Sequence, residues 1–146
     1  MPSDAVAGVG TQFRRYNTGA GAWEGVAEIL SYDGPNKKRD TIDVTNMDSP
    51  GGYREFIGGF RDGGEVKIPM NFTRDGYDLM NDDFESETKQ TYEIALPDAD
   101  NTTFSFLGLV TGLDLKVPTD KQITADVTIK VSGTITTNSG SGPAPV

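Results

Sequence analysis

The clearest hydrophobic pattern in the chain lies near its C-terminal end. From Ile123 to Ser132 apolar and polar residues alternate strictly, with apolar side chains at every odd position up to Val131. Alternation of this length is typical of a β-strand with one buried face. A second run, Glu65–Phe72, alternates in the same way but carries Pro69 on its polar side. Proline cannot donate to a β-ladder, so this run is predicted to be an edge strand or to contain a bulge.

Shorter runs of β-branched and aromatic residues predict further strands. They are Trp23–Leu30, Thr41–Thr45, Tyr92–Leu96, Thr103–Val110 and Leu113–Val117. With one helix among six or seven strands, the pattern predicts a mainly β fold. We expect a β-sandwich or small barrel with one flanking α-helix, a long inter-strand loop and extended terminal arms.

One segment has helical periodicity. Tyr77, Met80 and Phe84 fall at positions i, i+3 and i+7, which predicts a helix over about residues 75–86, capped at its start by Thr73 or Asp75. A helix of about eleven residues is marginal by itself. We therefore expect its apolar stripe to pack on the sheet as core rather than to hold a cofactor.

The ends of the chain lack any periodic pattern. Residues 1–22 are rich in small residues and are interpreted as an N-terminal arm, residues 23–137 as the β-sandwich domain, and residues 138–146 as a flexible tail. The aromatic and basic side chains of the arm are candidate contacts with a partner, namely Phe13, Arg14, Arg15 and Tyr16. The alternative interpretation is a frayed terminus.

The connection over residues 46–64 is unusually long for a domain of this size. Such connections are uncommon unless they are functional or disordered, and disordered segments are poor in aromatic residues. This one is rich in glycine and still carries several large side chains, so it is predicted to bind another protein. Aromatic residues and arginine are the usual interface anchors, and the candidates are Tyr53, Arg54, Phe56, Ile57 and Phe60. The alternative is a loop folded back on its own core.

Composition narrows the function classes. The chain has 146 residues, a size suited to one domain, and a formal charge of −9. This acidity argues against a protein that grips nucleic-acid backbones, although it is also compatible with ordinary solubility. The one basic run, Lys37–Arg39, is interpreted as a solvated loop or an interface patch. The chain has no cysteine and no histidine. Their absence excludes disulfides, thiol nucleophiles, histidine-based catalysis and nearly all zinc sites.

Several motifs lack the spacing or the residues that a chemical role would require. Gly19–Gly25 has its third glycine one place late for a dinucleotide loop, and Asp98–Asn101 fits a β-turn better than a calcium loop. The acidic cluster at the end of the helix is interpreted as a solvated face rather than a magnesium site; it comprises Asp82, Asp83, Glu85 and Glu87. No residue is therefore assigned to catalysis, cofactor binding or a metal. The apolar runs are far too short for a membrane span.

One resemblance to a known family rests on the region Thr41–Phe72. The acidic strand end Asp43–Thr45, the loop Asp48–Gly63 and the strand after it form a pattern of spaced hydrophobic residues and glycines. A terminal strand ending in Ser132–Ile135 completes it. In this pattern, over about residues 9–137, the chain resembles the major tail tube proteins of long-tailed, non-contractile phages.

The resemblance implies a structural virion protein with no enzymatic activity and no cofactor. Such a protein polymerises as stacked hexameric rings into the phage tail tube, a negatively lined conduit for DNA ejection. Its implied location is the virion tail, after assembly in the host cytoplasm. The implied partners are other copies of itself, the tape measure protein in the lumen, and the tail terminator and tail-tip proteins. DNA passes through without specific binding, and no membrane is involved.

The resemblance also implies that acidic side chains line the lumen and that the long loop contacts the neighbouring ring. Acidic residues on polar strand faces are the lumen candidates: Glu28, Asp43, Glu65, Glu93 and Asp126. Two other function classes remain open from the residues alone. One is a monomeric β-sandwich module that binds a carbohydrate or a receptor through Trp23 or tyrosines, and the other is a hydrolase that uses carboxylates.

Overall fold

The computed structural model describes residues 10–26 and 29–140. Within them the chain forms eight strands, one α-helix and a short 3-10 turn at Pro50–Gly52. In chain order the elements are β1 (Gln12–Asn17), β2 (Ala22–Gly25), β3 (Lys38–Asp43), β4 (Phe56–Asp62), β5 (Glu65–Asn71), α1 (Arg74–Glu85), β6 (Gln90–Ala95), β7 (Thr102–Lys116) and β8 (Thr124–Ser139). The prediction of a mainly β fold with one helix is confirmed.

Six of the strands form one antiparallel sheet in the order β2-β1-β6-β7-β8-β5. The sheet is not closed, so β2 and β5 are its end strands. The position of β5 confirms the edge strand predicted from Pro69, whose residue partner on β8 is Asp126. Among the described strands, the other two, β3 and β4, pair with each other and form a separate two-stranded sheet.

The two longest strands, β7 and β8, connect strands β2, β1 and β6 on one side of the sheet to β5 on the other. Strands β7 and β8 have 15 and 16 residues and pair from Thr102 to Lys116 with two shifts of register along the way. Such bulges bend a strand and increase its twist. Gly108 borders one of them, and a Cβ atom there would lie 2.6 Å from Cγ2 of Ile129. The predicted break between Thr103–Val110 and Leu113–Val117 is therefore wrong, because the chain bends there without leaving the sheet.

The core lies between the two halves of this bent sheet. Residues from both sides of the β7–β8 pair, such as Ile94 on β6 and Ile68 on β5, belong to one buried cluster. The alternating residues of β8 supply its centre, with Ala125, Val127 and Ile129 almost completely buried. The apolar face of the curved sheet is thus packed on itself, as expected for a sandwich.

Helix α1 covers part of the sheet on β7. Thr73 caps its start, since its hydroxyl accepts a hydrogen bond from the backbone N–H of Gly76 at 3.2 Å, and Asp75 lies in the first turn. The predicted apolar stripe is only partly correct. Met80 is fully buried, whereas Phe84 is 45% exposed and the buried position in the last turn belongs to Asp83.

Asp83 is the centre of a buried polar cluster. Its carboxylate accepts hydrogen bonds from the guanidinium of Arg15 and from the hydroxyl of Tyr92, all at 2.8 Å. The hydrogen bond to Asp83 raises the pKa of Arg15, and burial raises the pKa of Tyr92 far above its ordinary value. The interpretation of Asp83 as part of a solvated face is wrong, because it connects α1 to β1 and β6.

The described part of the predicted N-terminal arm, residues 10–22, is also part of the sheet. Strand β1 pairs with β2 on one side and β6 on the other. Phe13 is 1% exposed and stacks on Tyr92 with 5.6 Å between ring centroids. Phe13 is therefore a core residue rather than an intersubunit contact. At the other end β8 runs to Ser139, so the predicted tail begins too early; residues 141–146 lie outside the described part.

Candidate assembly interface

The predicted loop 46–64 is in large part a β-hairpin. Strand β4 occupies its second half and pairs with β3, with Ile42 opposite Ile57. Every residue of β3 is exposed, and in β4 only Gly59 is partly covered. A two-stranded hairpin without other support is marginally stable in water. Beyond its base, the hairpin therefore projects from the sandwich as a surface without a packing partner among the described residues.

This hairpin concentrates large exposed apolar side chains. Phe60 is 90% exposed, Tyr53 is 78% exposed and Met47 is fully exposed. Four others are about half exposed: Ile42, Val44, Phe56 and Ile57. Exposed apolar patches of this extent usually mark contacts with other proteins. Of the predicted loop residues, Tyr53, Arg54, Phe56, Ile57 and Phe60 are all exposed, so the alternative of a loop folded on its own core is excluded.

Side-chain hydrogen bonds order the tip of the hairpin, residues 44–55. The hydroxyl of Thr45 accepts from the backbone N–H of Glu55 at 2.8 Å, and the hydroxyl of Ser49 donates to the carboxylate of Glu55 at 2.8 Å. Asp43 accepts from the backbone N–H of Thr45, and hydrogen bonds from Thr45 lower the pKa of this carboxyl. A tip ordered before binding loses less conformational entropy on contact.

The base of the hairpin is held against β8. The backbone carbonyl of Gly64 accepts from the N–H of Val131 at 3.0 Å, and Asp62 forms an ion pair with Lys130 at 3.2 Å. Gly64 has a φ of +78°, and a Cβ atom there would lie 2.1 Å from the carbonyl oxygen of Asn36. Only glycine fits this position. The projection angle of the hairpin is therefore set by backbone packing at its base.

Beside this base lies a groove of about 640 Å³ between the hairpin and β8. The basic run Lys37–Arg39, interpreted above as a solvated loop or an interface patch, lines this groove. Lys38 and Arg39 belong to β3 instead of a loop. Phe60 and Arg61 of β4 line the same groove, together with Gly133 and Ile135 of β8.

The polar face of β5, β8 and β7 is a second extended surface. Glu65 lies opposite Lys130, and Asp126 lies opposite Asp114 of β7. Asp126 also forms an ion pair with Lys116 at 2.7 Å. Two of the predicted lumen residues, Glu65 and Asp126, therefore share one outward face, whereas Asp43 lies on the hairpin.

Two other lumen candidates are not on this face. Glu93 is completely buried and its carboxylate accepts a hydrogen bond from Arg14 at 2.8 Å. A buried, paired carboxylate cannot line an aqueous channel, so that prediction is wrong. Alternation placed Glu93 on a polar strand face, and no signal in the sequence revealed its buried partner. Glu28 lies outside the described residues.

The candidate contacts of the N-terminal segment are used largely inside the chain. Arg15 binds Asp83, and Arg14 binds Glu93. Tyr16 packs edge-to-face on Trp23, with 5.2 Å between ring centroids. In the described ranges no group of three or more acidic side chains is placed to hold a metal ion. No helix among the described residues is long and apolar enough to cross a membrane.

The sequence profile of the lambda phage tail tube protein family matches residues 7–138 of the chain. The chain belongs to the lambda phage tail tube protein family. The predictions of a structural tail tube protein of the virion, and of a protein that is not an enzyme, are thereby confirmed. The carbohydrate- or receptor-binding alternative is not favoured. No curated protein sequence gives a significant match.

Solved structures of tails and tubes share the fold. The tail of an empty gene transfer agent particle, refined with C6 symmetry, has a TM-score of 0.77 at 19% identity and covers 92% of this chain and 99% of its own. The SPP1 tail tube has a TM-score of 0.68 at 9% identity and covers 92% of this chain and 80% of its own. A tube-terminating cap of the anti-feeding prophage has a TM-score of 0.66 at 12% identity, covering 96% of both chains.

Proposed function

We propose that this tail tube protein polymerises as hexameric rings that stack into a tube, with the β3–β4 hairpin contacting the neighbouring ring. The observation that carries the proposal is the hairpin itself, which exposes seven large apolar side chains. The C6 symmetry of the similar gene transfer agent tail supports six subunits per ring. Stacking buries the hairpin and removes its apolar surface from water.

The polar face of β5, β8 and β7 is our candidate for the lumen wall. It carries Glu65, Asp114 and Asp126, although Lys67, Lys116 and Lys130 on the same face make its charge mixed. With −9 per chain, a ring of six chains carries a formal charge of −54. An anionic wall repels phosphate over roughly 8–10 Å in physiological salt. We propose that DNA passes this face without specific binding, and that a tape measure protein occupies the lumen during assembly.

Open sheet edges support ring closure. In β7 only the first half is paired with β6, and in β8 only the first half is paired with β5. The second halves of β7 and β8 therefore each have one edge without a strand neighbour among the described residues. Open edges are an aggregation hazard that closure into a ring removes. The similarity to a tube-terminating cap supports an equivalent partner at the end of this tube.

Shortening the hairpin tests the stacking role. A variant in which residues 46–54 are replaced by two glycines is expected to keep the far-ultraviolet circular dichroism of a folded monomer and to form no tubes under negative-stain microscopy. Met47→Ser with Tyr53→Ser is a milder form of the same test. The matched control is Val117→Ser, an exposed apolar residue outside the hairpin. Wild-type tubes from the shortened variant would refute the role.

A further inference from the structure

The groove at the hairpin base has an unusual concentration of positive charge for so acidic a chain. Lys37, Lys38, Arg39 and Arg61 all line it. Arg39 and Arg61 lie directly opposite each other across β3 and β4. Like charges in this position destabilise a strand pair. In residues 10–26 and 29–140 none of the four cations forms an ion pair.

The groove also has an apolar side. Phe60 is almost fully exposed at its rim, and Ile135 of β8 lies across from it. The acidic residue of the lining, Asp62, is already bound to Lys130 and to the backbone N–H of Gly64. The groove therefore suits a partner that brings carboxylates together with an exposed apolar side chain.

The C-terminal end of α1 has the complementary composition. Asp82 and Glu85 are exposed in its last turn, which contains no basic residue. Carboxylates at this end of a helix are unfavourable because the helix dipole is negative there. Asp82 also lies four residues after Asp78, a repulsive spacing for like charges. Phe84 is exposed between the two carboxylates.

We propose that this groove binds the C-terminal end of α1 from a second copy of the chain. Asp82 and Glu85 then offset the charges of Arg39 and Arg61, and Phe84 packs against Phe60. Helix α1 packs on β7 in its own chain, whereas the groove is formed by β3, β4 and β8. Two different surfaces in contact make a heterologous interface, the type that forms rings and stacks. The inference rests on the proposed assembly of copies.

Disulfide trapping tests the contact directly, because the chain has no cysteine of its own. Chains carrying Arg61→Cys are mixed with chains carrying Glu85→Cys under mild oxidation. The yield of the mixed dimer is expected to be at least about tenfold higher than in a control mixture in which Lys121→Cys replaces Glu85→Cys. Equal yields in the two mixtures would overturn the proposal. This measurement does not require tubes.

A charge exchange tests its role in assembly. Arg61→Glu alone and Glu85→Arg alone are each expected to raise the concentration needed for tubes by about tenfold at low salt, and the two together to restore it to within about threefold. The matched control Lys121→Glu, which makes the same charge change as Arg61→Glu, is expected to have no effect. Normal tubes from both single variants, or no recovery in the combined variant, would overturn the inference alone. Absence of tubes from the wild-type chain would refute the proposed function, and the trapping experiment would still decide this contact.

Discussion

The six-stranded sheet and the β3–β4 hairpin both contain strands with apolar side chains, but they differ in how far those side chains are buried. In β8 the apolar residues face a core and are almost fully buried. In the hairpin Ile42 and Ile57 face each other across the strands and still remain about half exposed. Burying one large aliphatic side chain contributes about 1.5–3 kcal/mol. The sheet gains this free energy on folding, whereas the half-exposed side chains of the hairpin leave part of it to be gained in the proposed contact with another chain.

The largest difference in the free energy of unfolding is expected between alanine substitutions at two isoleucines, one from each region. Ile129→Ala is expected to lower the free energy of unfolding by about 2–5 kcal/mol, because it leaves a cavity in the core. Ile57→Ala is expected to change it by less than about 0.5 kcal/mol. Urea unfolding of the monomer measures both values. Microscopy is expected to show that Ile57→Ala is the variant that stays folded and fails to form normal tubes. Equal losses of stability would break the comparison.

A pH titration sharpens the description of the core. The pKa of Tyr92 is raised above its ordinary value of 10.0, chiefly by burial and also by Asp83. The folded state therefore holds this proton more tightly than the unfolded state. The tighter binding of this proton stabilises the folded state. This stabilisation is complete below about pH 10 and is lost at about 1.4 kcal/mol per pH unit as the pH rises further. Urea unfolding between pH 9 and pH 11 is expected to show this loss.

The matched variants for that titration come from the two regions. Tyr92→Phe is expected to be less stable at neutral pH, since it removes the hydrogen bond to Asp83, and to have a flatter alkaline profile. Tyr53→Phe, on the exposed hairpin tip, is expected to keep the wild-type profile. An unchanged slope in Tyr92→Phe would show that another group causes the alkaline loss.

The smallest expected effect concerns the order of the hairpin tip. Thr45→Val removes the hydroxyl that accepts a hydrogen bond from the backbone N–H of Glu55. A hydrogen bond of this kind contributes about 1 kcal/mol. The concentration needed for tube formation is expected to rise by about fivefold, while monomer stability changes little. Light scattering during assembly measures the first quantity. Thr45→Ser keeps the hydroxyl and is expected to behave as wild type; an equal defect in both variants would contradict the role of this bond.

Prediction from the sequence succeeded where local pattern and burial agree. The alternation in Glu65–Phe72 and Ile123–Ser132 identified β5 and much of β8, and the helix was located to within one residue of its observed ends. It failed at β4, where Gly58 and Gly59 and a bulge opposite Asp40 interrupt the alternation. It failed at β1 because Arg14 and Arg15 interrupt the apolar pattern there and use buried carboxylates as partners.

The sequence alone therefore determined the β class, the single helix and the exclusion of histidine and cysteine chemistry, and it located the segment that we propose contacts other chains. These features follow from residue type and short-range spacing, which act within a few residues. Only the tertiary structure decided that this segment is a hairpin, that Glu93 and Asp83 are buried, and that the basic run lines a groove beside β8. Each of these depends on residues far apart in the chain, and pairing over such distances leaves no local pattern.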